Sequence, residues 1–208
     1  MLRRHICKKR TGENDSIFSY LVESLDEKTE EKVLYSFRKR LKSHYPDDVD
    51  FLDKLASYQF EGKVEERARY ILEQLEYNKR GSYKELSINT AENVQLEHII
   101  PKNITTKKSS IEFGDWLSYL GENSQIRHKK YVSKIGNLTL LAAPLNIQAS
   151  NNPFRKKLNS YNQSNLIITK ELGNYSNFTF TEVEKRSNEI TEEALKIWRI
   201  DFSDIPEE

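Results

Sequence analysis

The sequence has only one cysteine, Cys7, among its 208 residues. A single thiol forms no disulfide within the chain and cannot assemble a cysteine zinc site. Long apolar runs are missing as well, because no stretch approaches the roughly 20 residues that a membrane-spanning helix needs. The basic N-terminal residues 1–7 are not followed by the apolar region of a secretory signal. We therefore expect a cytoplasmic protein with no membrane partner.

Glycine and proline are scarce, with seven and five residues respectively, which argues against a disordered or fibrous chain. At 37% hydrophobic and 31% charged residues, the composition predicts a soluble globular protein with a polar surface. The length suits one domain or two small ones.

Acidic residues are absent from 123–170, a stretch that holds eight lysines and arginines. Residues 98–170 carry a formal charge of +8 and the remainder −7, although the whole chain carries only +1. A local basic field favours a polyphosphate partner, and we prefer this to a solvated face without a partner because acids are absent and not merely outnumbered. Six basic side chains are predicted to contact the phosphates of such a partner, which would give affinity without sequence choice: Lys129, Lys130, Lys134, Arg155, Lys156 and Lys157.

Helical spacing of apolar residues covers most of 14–78, and the clearest helix runs from Val64 to Tyr77. Its buried stripe and its water-facing side are both legible in the sequence. The stripe is predicted to comprise Ala68, Ile71, Leu72 and Leu75. The side facing water is predicted to comprise Glu65, Glu66, Arg69, Glu73 and Glu76.

The second half of the chain mixes short strands and helices. Strands are predicted at 94–100, ended by Pro101, at 138–141, and near Leu166–Thr169. Helices are predicted at Ile111–Leu120 with a stop at Gly121, at 124–134, from Pro144, from Asn151-Asn152-Pro153, and from Thr181 to Trp198. This pattern indicates a mainly α protein of α+β type, a helical bundle with an embedded small hairpin-and-helix core. We expect a helical region at 1–92, a core at 93–165 and a C-terminal strand and helix at 166–208.

A chemically suggestive constellation lies in the predicted hairpin and the helix after it. His98 has an imidazole suited to general-base catalysis near neutral pH. Glu97 and Asn146 offer hard oxygen ligands of the kind that Mg²⁺ prefers, and the alternative for Glu97 is a structural hydrogen bond or salt bridge near the site. Asn137 has an amide able to orient a histidine ring or a loop. These residue types suit metal-assisted hydrolysis of a phosphodiester, although adjacent strand residues such as Glu97 and His98 share one face only where the strand end is twisted or bulged.

These residues resemble the HNH nucleases, also called ββα-metal or His-Me finger nucleases, and more closely the DUF1524 domain. That domain is the C-terminal nuclease half of DUF262–DUF1524 phage-defence proteins, whose kin include GmrSD-type restriction enzymes and SspE-type effectors that respond to phosphorothioate-marked DNA. The resemblance is specific over 94–161 and looser toward the N-terminus. It rests on Leu96-Glu97-His98-Ile99-Ile100-Pro101, Lys134-Ile135-Gly136-Asn137-Leu138-Thr139-Leu140-Leu141, Asn146, Asn151, Phe154, Lys157 and Tyr161.

The resemblance implies a Mg²⁺- or Mn²⁺-dependent DNA endonuclease that nicks nonspecifically or at modified DNA, within a bacterial anti-phage restriction system. The family's base falls on His98, its central asparagine on Asn137 and its metal-side asparagine on Asn146, while Asn151 matches a motif position of undefined role. A histidine common at the third position of HNH proteins is asparagine here. The NTP-binding DUF262 half is missing, so we expect a C-terminal portion or a truncated relative, with that domain as its partner. The alternatives are a catalytically silent DNA-binding module and an RNA endonuclease of the same fold.

Overall fold

The computed structural model describes residues 2–10, 12–23, 25, 29–81, 88, 92–105 and 115–205. Within these ranges the chain forms eleven α-helices and two β-strands. The helices of the first part are α1 (Leu2–Ile6), α2 (Gly12–Glu23), α3 (Glu30–His44), α4 (Asp48–Ser57) and α5 (Glu65–Arg80). The remaining elements are β1 (Val94–His98), α6 (Trp116–Leu120), α7 (Ser124–Tyr131), β2 (Leu138–Ala142), α8 (Ala143–Ala149), α9 (Phe154–Gln163), α10 (Ile167–Lys170) and α11 (Phe180–Trp198). Single 3₁₀ turns lie at Gly62–Val64, Ile135–Asn137 and Glu171–Asn174.

This architecture confirms the expected fold class, mainly helical with one small antiparallel hairpin. The chain divides into two compact units, Met1–Leu55 with Trp198–Glu208, and Ala56–Ile197. The three-part division expected at 92/93 and 165/166 stays a prediction. None of the helices in the described ranges combines the length and apolar character that crossing a membrane requires.

The first unit is helical and is organised around a buried arginine. Arg3 is 2% exposed, and its guanidinium donates to Asp48 Oδ1 and to the Pro46 carbonyl, each at 2.7 Å. It also lies over the rings of Tyr45 and Phe51. Nη1 and Nη2 donate to oxygens and the flat faces lie against two rings, so burial of the charge is largely compensated, although Nε has no hydrogen-bond partner among the described residues.

In the second unit, the predicted apolar stripe of helix α5 is confirmed as fully or almost fully buried. The prediction that Arg69 and Glu76 face water is wrong. Glu76 has no exposed surface, and its carboxylate accepts the backbone N–H groups of Ile167 and Ile168, both at 3.0 Å. Arg69 is 8% exposed and donates to the Val94 carbonyl. Both polar side chains therefore join α5 to neighbouring segments instead of facing the solvent.

Of residues 166–169, predicted to be a strand, 167–169 lie in helix α10 and Leu166 is its N-cap residue. The β-branched run Ile167-Ile168-Thr169 favours a strand locally. Tertiary contacts override that preference, because Glu76 accepts the first N–H groups of the helix and Thr169 Oγ1 donates to the Leu140 carbonyl at 2.6 Å.

The predictions for 102–135, the segment inserted between the strands, are partly confirmed. Helix α6 covers the second half of the helix predicted from Ile111, and residues 106–114 lie outside the described ranges. Asp115 caps α6 by accepting the Ser118 N–H at 2.7 Å, and Gly121 ends it with a φ of 81°. Helix α7 corresponds to the predicted basic helix and stops at Tyr131.

Strands β1 and β2 pair antiparallel in a regular register from Val94–Ala142 to His98–Leu138. Helix α8 follows β2 at once, with Pro144 in its first turn as predicted. One face of this hairpin unit covers a core that includes Ile99, Ile100, Trp116, Phe154, Tyr161 and Phe178.

Gly136 allows helix α11 to approach the turn that leads into β2. A Cβ atom added there would lie 2.1 Å from the Val183 carbonyl oxygen and 2.6 Å from the Ser187 backbone nitrogen. The Gly136 N–H donates to Ser187 Oγ at 3.1 Å, and Arg186 Nη1 donates to the carbonyls of Gly136 and Leu138 at 2.8 and 2.7 Å. The C-terminal helix thus fixes the start of β2.

We predict that Gly136→Ala destabilises the protein by about 2–3 kcal/mol or more, because the added methyl group overlaps backbone atoms that cannot move aside cheaply. Urea denaturation followed by far-UV circular dichroism measures the change. Gly12→Ala is the matched control, since a Cβ at Gly12 meets nothing within 4 Å. Equal stability of the two variants would contradict the packing described here.

Candidate active site

The second unit contains an open cleft of about 390 Å³ at the end of β1, beside helix α8. It brings together four of the predicted site residues from the motif, His98, Glu97, Asn146 and Asn151, together with Lys157. The full lining is Glu97, His98, Pro101, Lys102, Asn146, Ile147, Ser150, Asn151 and Lys157. Asn137 does not belong to this lining.

His98 is the last residue of β1 and is 7% exposed. Its Nε2 is buried with no hydrogen-bond partner in the described part of the chain. Burial lowers the pKa of His98 to about 3, and the positive charges of Lys102, Lys157 and His128 add to this shift. The imidazole is therefore neutral near pH 7, the form that accepts a proton.

Glu97 lines the same cleft as its neighbour His98, although the register of β1 is regular up to His98 and contains no bulge there. His98 is the last residue of the strand, so the alternation of side chains between the two faces of the sheet does not extend past it. Glu97 is 7% exposed, and its Oε1 accepts from Lys157 Nζ at 2.7 Å and from the Tyr161 hydroxyl at 3.0 Å. These two donors hold the carboxylate in one orientation.

Lys157 has no exposed surface, which leaves it none for the DNA phosphate it was predicted to contact. Its ammonium donates to Glu97 Oε1 and, at 2.8 Å, to the His98 carbonyl. Burial lowers the pKa of Lys157, while the Glu97 carboxylate opposes that shift. The lysine thus joins helix α9 to the strand end and positions two cleft residues at once.

Asn146 lies on α8, where it is half-buried, and its Nδ2 donates to Gln95 Oε1 at 2.8 Å. This hydrogen bond directs the amide nitrogen toward β1 and leaves Oδ1 as the oxygen able to serve as a ligand. Asn151 lies just beyond the helix, and its carbonyl accepts from Trp116 Nε1 at 3.1 Å.

Asn137 has no exposed surface and acts as a clamp beneath the cleft. Its Oδ1 accepts the Ile100 N–H at 2.8 Å, and its Nδ2 donates to the carbonyls of Ile100 and Val132 at 2.9 and 2.8 Å. Its own carbonyl accepts the Ile99 N–H at 2.9 Å. The amide of Asn137 was expected to orient either a histidine ring or a loop. These contacts hold the loop that directly follows His98.

The other predicted DNA contacts lie on helices α7 and α9 and on the turn after α7. Lys129, Lys130, Arg155 and Lys156 are exposed. Lys134 is half-buried, with its Nζ 4.8 Å from the centre of the Tyr131 ring. Their contact with DNA stays a prediction.

Three residues that contact or support the cleft were not identified from the sequence. Lys102 lines the cleft, but its four-residue spacing from His98 carries no signal of this. His128 is buried, and its Nε2 bonds to the Pro101 carbonyl at 2.8 Å. Arg186 supports the hairpin from a helix remote in sequence, and no local pattern indicated it.

Two residues of the cleft, Glu97 and Asn146, have side-chain oxygens that could act as ligands of a divalent ion. No group of three or more His, Cys, Asp or Glu side chains in the described ranges could hold a metal by itself. Mg²⁺ commonly uses one or two carboxylates and retains several waters, and the one carboxylate here has its Oε1 already bonded to Lys157 and Tyr161. The unpartnered buried Nε2 of His98 further indicates a polar site completed from outside the chain.

A basic cleft that combines a neutral histidine with oxygen ligands is typical of enzymes that hydrolyse phosphodiesters, the class of nucleases. The model of the family "GmrSD restriction endonucleases, C-terminal domain" matches residues 45–193, a range that includes every residue lining the cleft. The chain belongs to this family. No curated protein matches the chain.

We predict that the Glu97–Lys157 pair is strongly coupled. Lys157→Met should cost about 3–5 kcal/mol, because it leaves a buried carboxylate without its partner. Adding Glu97→Gln should recover at least about 1 kcal/mol, since the amide carries no charge. Urea denaturation of the two single variants and the double variant measures this cycle, and simply additive costs would count against the pair.

We also predict an acid sensitivity that arises from His98. Its folded-state pKa of about 3 lies below the ordinary 6.5, so the unfolded chain binds this proton more readily. The contribution of His98 to the free energy of unfolding is therefore complete above about pH 6.5. It declines toward pH 3, by up to about 1.4 kcal/mol per pH unit. His98→Gln should show a correspondingly flatter loss of unfolding free energy in that window. Parallel pH profiles for the two proteins would refute the assignment.

Proposed function

We propose that this domain is an HNH-type, metal-dependent DNA endonuclease in which His98 is the general base. The observation that carries the proposal is the presence of a neutral, buried imidazole in one cleft with Glu97 and Asn146. Membership of a restriction endonuclease family supports hydrolysis of nucleic acid as the reaction.

In the proposed reaction, His98 takes a proton from a water molecule, whose oxygen attacks phosphorus. The bond from phosphorus to the 3′ oxygen breaks, leaving a 5′ phosphate and a 3′ oxygen that takes a proton from solvent water to become a hydroxyl. Glu97 and Asn146 would hold Mg²⁺ or Mn²⁺, which when bound neutralises charge on the phosphate and the leaving oxygen. Lys157 keeps Glu97 oriented, and Asn137 keeps the loop after His98 in place.

Phosphate binding would act on the pKa of His98. Burial is the main cause of the lowered pKa in the free protein, and the positive charges of Lys102, Lys157 and His128 add to it. A phosphate anion in the cleft would oppose those charges, though not the burial, and so favour proton uptake by His98.

DNA is the substrate that we propose, held by the exposed cations Lys129, Lys130, Arg155 and Lys156 with Lys134 beside them. Their contacts to phosphate give affinity without base readout. Further parts of the proposal are a role in bacterial anti-phage restriction, recognition of modified phage DNA, a DUF262 NTP-binding domain as partner, and action in the cytoplasm. The family match and the basic field of 98–170 support this setting.

We predict that the protein converts supercoiled plasmid to open circles with Mg²⁺ or Mn²⁺ and not with EDTA. His98→Ala should lower the rate by about 10²–10⁴-fold, the usual contribution of a general base. Asn146→Ala should raise the metal concentration needed for half-maximal cutting. Asn159→Ala is the matched control, because Asn159 is exposed on α9 and does not line the cleft.

The same assay separates the alternatives. Undiminished cutting by a folded His98→Ala protein would refute the assigned base. DNA binding without cutting under either ion would indicate a silent module, and preferential cutting of RNA would replace DNA as the substrate. Arms with modified and unmodified plasmid test the restriction role.

A further inference from the structure

A second cavity, of about 400 Å³, lies within the second unit on residues that the proposed nuclease does not use as ligands or base. It lies between α5, α10, the 3₁₀ turn at Glu171–Asn174 and α11. Its apolar lining consists of Leu72, Leu75, Ile168 and Ile190. A volume of this size accommodates a small organic molecule.

Most of the charged groups around this cavity are already paired. Lys79 Nζ lies 3.1 Å from Glu171 Oε1 and 2.9 Å from Glu193 Oε1. Lys185 Nζ lies 3.8 Å from Glu189 Oε1, and the Tyr175 hydroxyl donates to the same carboxylate at 3.2 Å. The three lining carboxylates thus have partners at the cavity rim.

Arg186 is the exception. It lines the cavity and is only 6% exposed, and none of the described carboxylates lies within ion-pair distance of it, although Glu171 and Glu189 are near enough to act on its charge. Its Nη1 donates to the carbonyls of Gly136 and Leu138. Those two bonds do not use Nε or Nη2, which carry three of the five N–H donors of a guanidinium. A nearly buried cation with unused planar donors matches a carboxylate or phosphate head group.

We propose that this cavity binds a small organic anion, with its phosphate or carboxylate head on Arg186 and its apolar body on the leucine and isoleucine lining. The same guanidinium supports both carbonyls that flank Asn137, so the occupant contacts the group that fixes the start of β2. The proposal does not rest on the nuclease function, and its failure would leave that function untouched.

Phenyl phosphate and benzoate are suitable probes, because each joins one anionic head to one apolar ring. Benzyl alcohol is the neutral control. Binding is measured by calorimetry and by NMR of the Arg186 Nε–H and the Ile190 methyl groups. We expect either or both anions to shift these two signals together, and the comparison shows which head group is preferred. Equal binding of benzyl alcohol, or shifts that leave the Arg186 Nε–H unchanged, would overturn the proposal.

Charge variants test the site without disturbing Arg186, whose Nη1 the hairpin needs. Asn174 is exposed and lines the cavity, so Asn174→Asp should weaken binding of the anion by about fivefold and Asn174→Lys should strengthen it by a similar factor. Asn177→Asp is the matched control, an exposed position outside the lining. Affinities that do not move in opposite directions at position 174, or that fall equally in the control, would also overturn the site.

Discussion

The buried ion pair between Lys157 and Glu97 is the interaction on which the geometry of the cleft depends. A lysine without exposed surface is costly unless its charge and its donors have partners, and here one ammonium meets a carboxylate and the His98 carbonyl. The pair therefore ties helix α9 to the end of β1. It also places two neighbouring side chains of a strand on one cleft, which strand alternation alone opposes.

Around this pair, a hairpin with five residues in each strand is held from outside. An isolated two-stranded hairpin is at best marginally stable in water. Here the turn into β2 contacts α11 so closely that only glycine fits at 136, and Arg186 binds the carbonyls on either side of Asn137. The end of the sheet beside the cleft is thus held by a helix about fifty residues away in the chain.

The sequence predicts the elements and the cleft lining where local rules decide. The hairpin strands, the helix opened by Pro144 and the shared cleft of His98 and Asn146 follow from spacing. It misleads where a charged side chain is buried. Glu76 has the helical position of a solvated residue, yet it caps α10, and that cap turns a predicted strand at 166–169 into a helix. Lys157 belongs to a basic run, so its charge suggested a contact with DNA phosphates, whereas its ammonium is bound to Glu97, sixty residues earlier in the chain. Such long-range pairs produce no periodic pattern in the sequence from which they could be predicted.

Asn137 binds the chain at both ends of the segment between the strands, at Ile100 near its start and at Val132 near its end. His128 adds a second tie at the start of that segment, through the Pro101 carbonyl. Since the two ends are fastened to one amide, a change in the length of the middle of this segment need not displace the imidazole, whereas Lys102 and His128 near its ends act on the charge of His98. Closing a longer loop between fixed ends costs little, because that entropy grows only with the logarithm of length. A longer or shorter middle would therefore alter the surface offered to other molecules while His98 keeps its place.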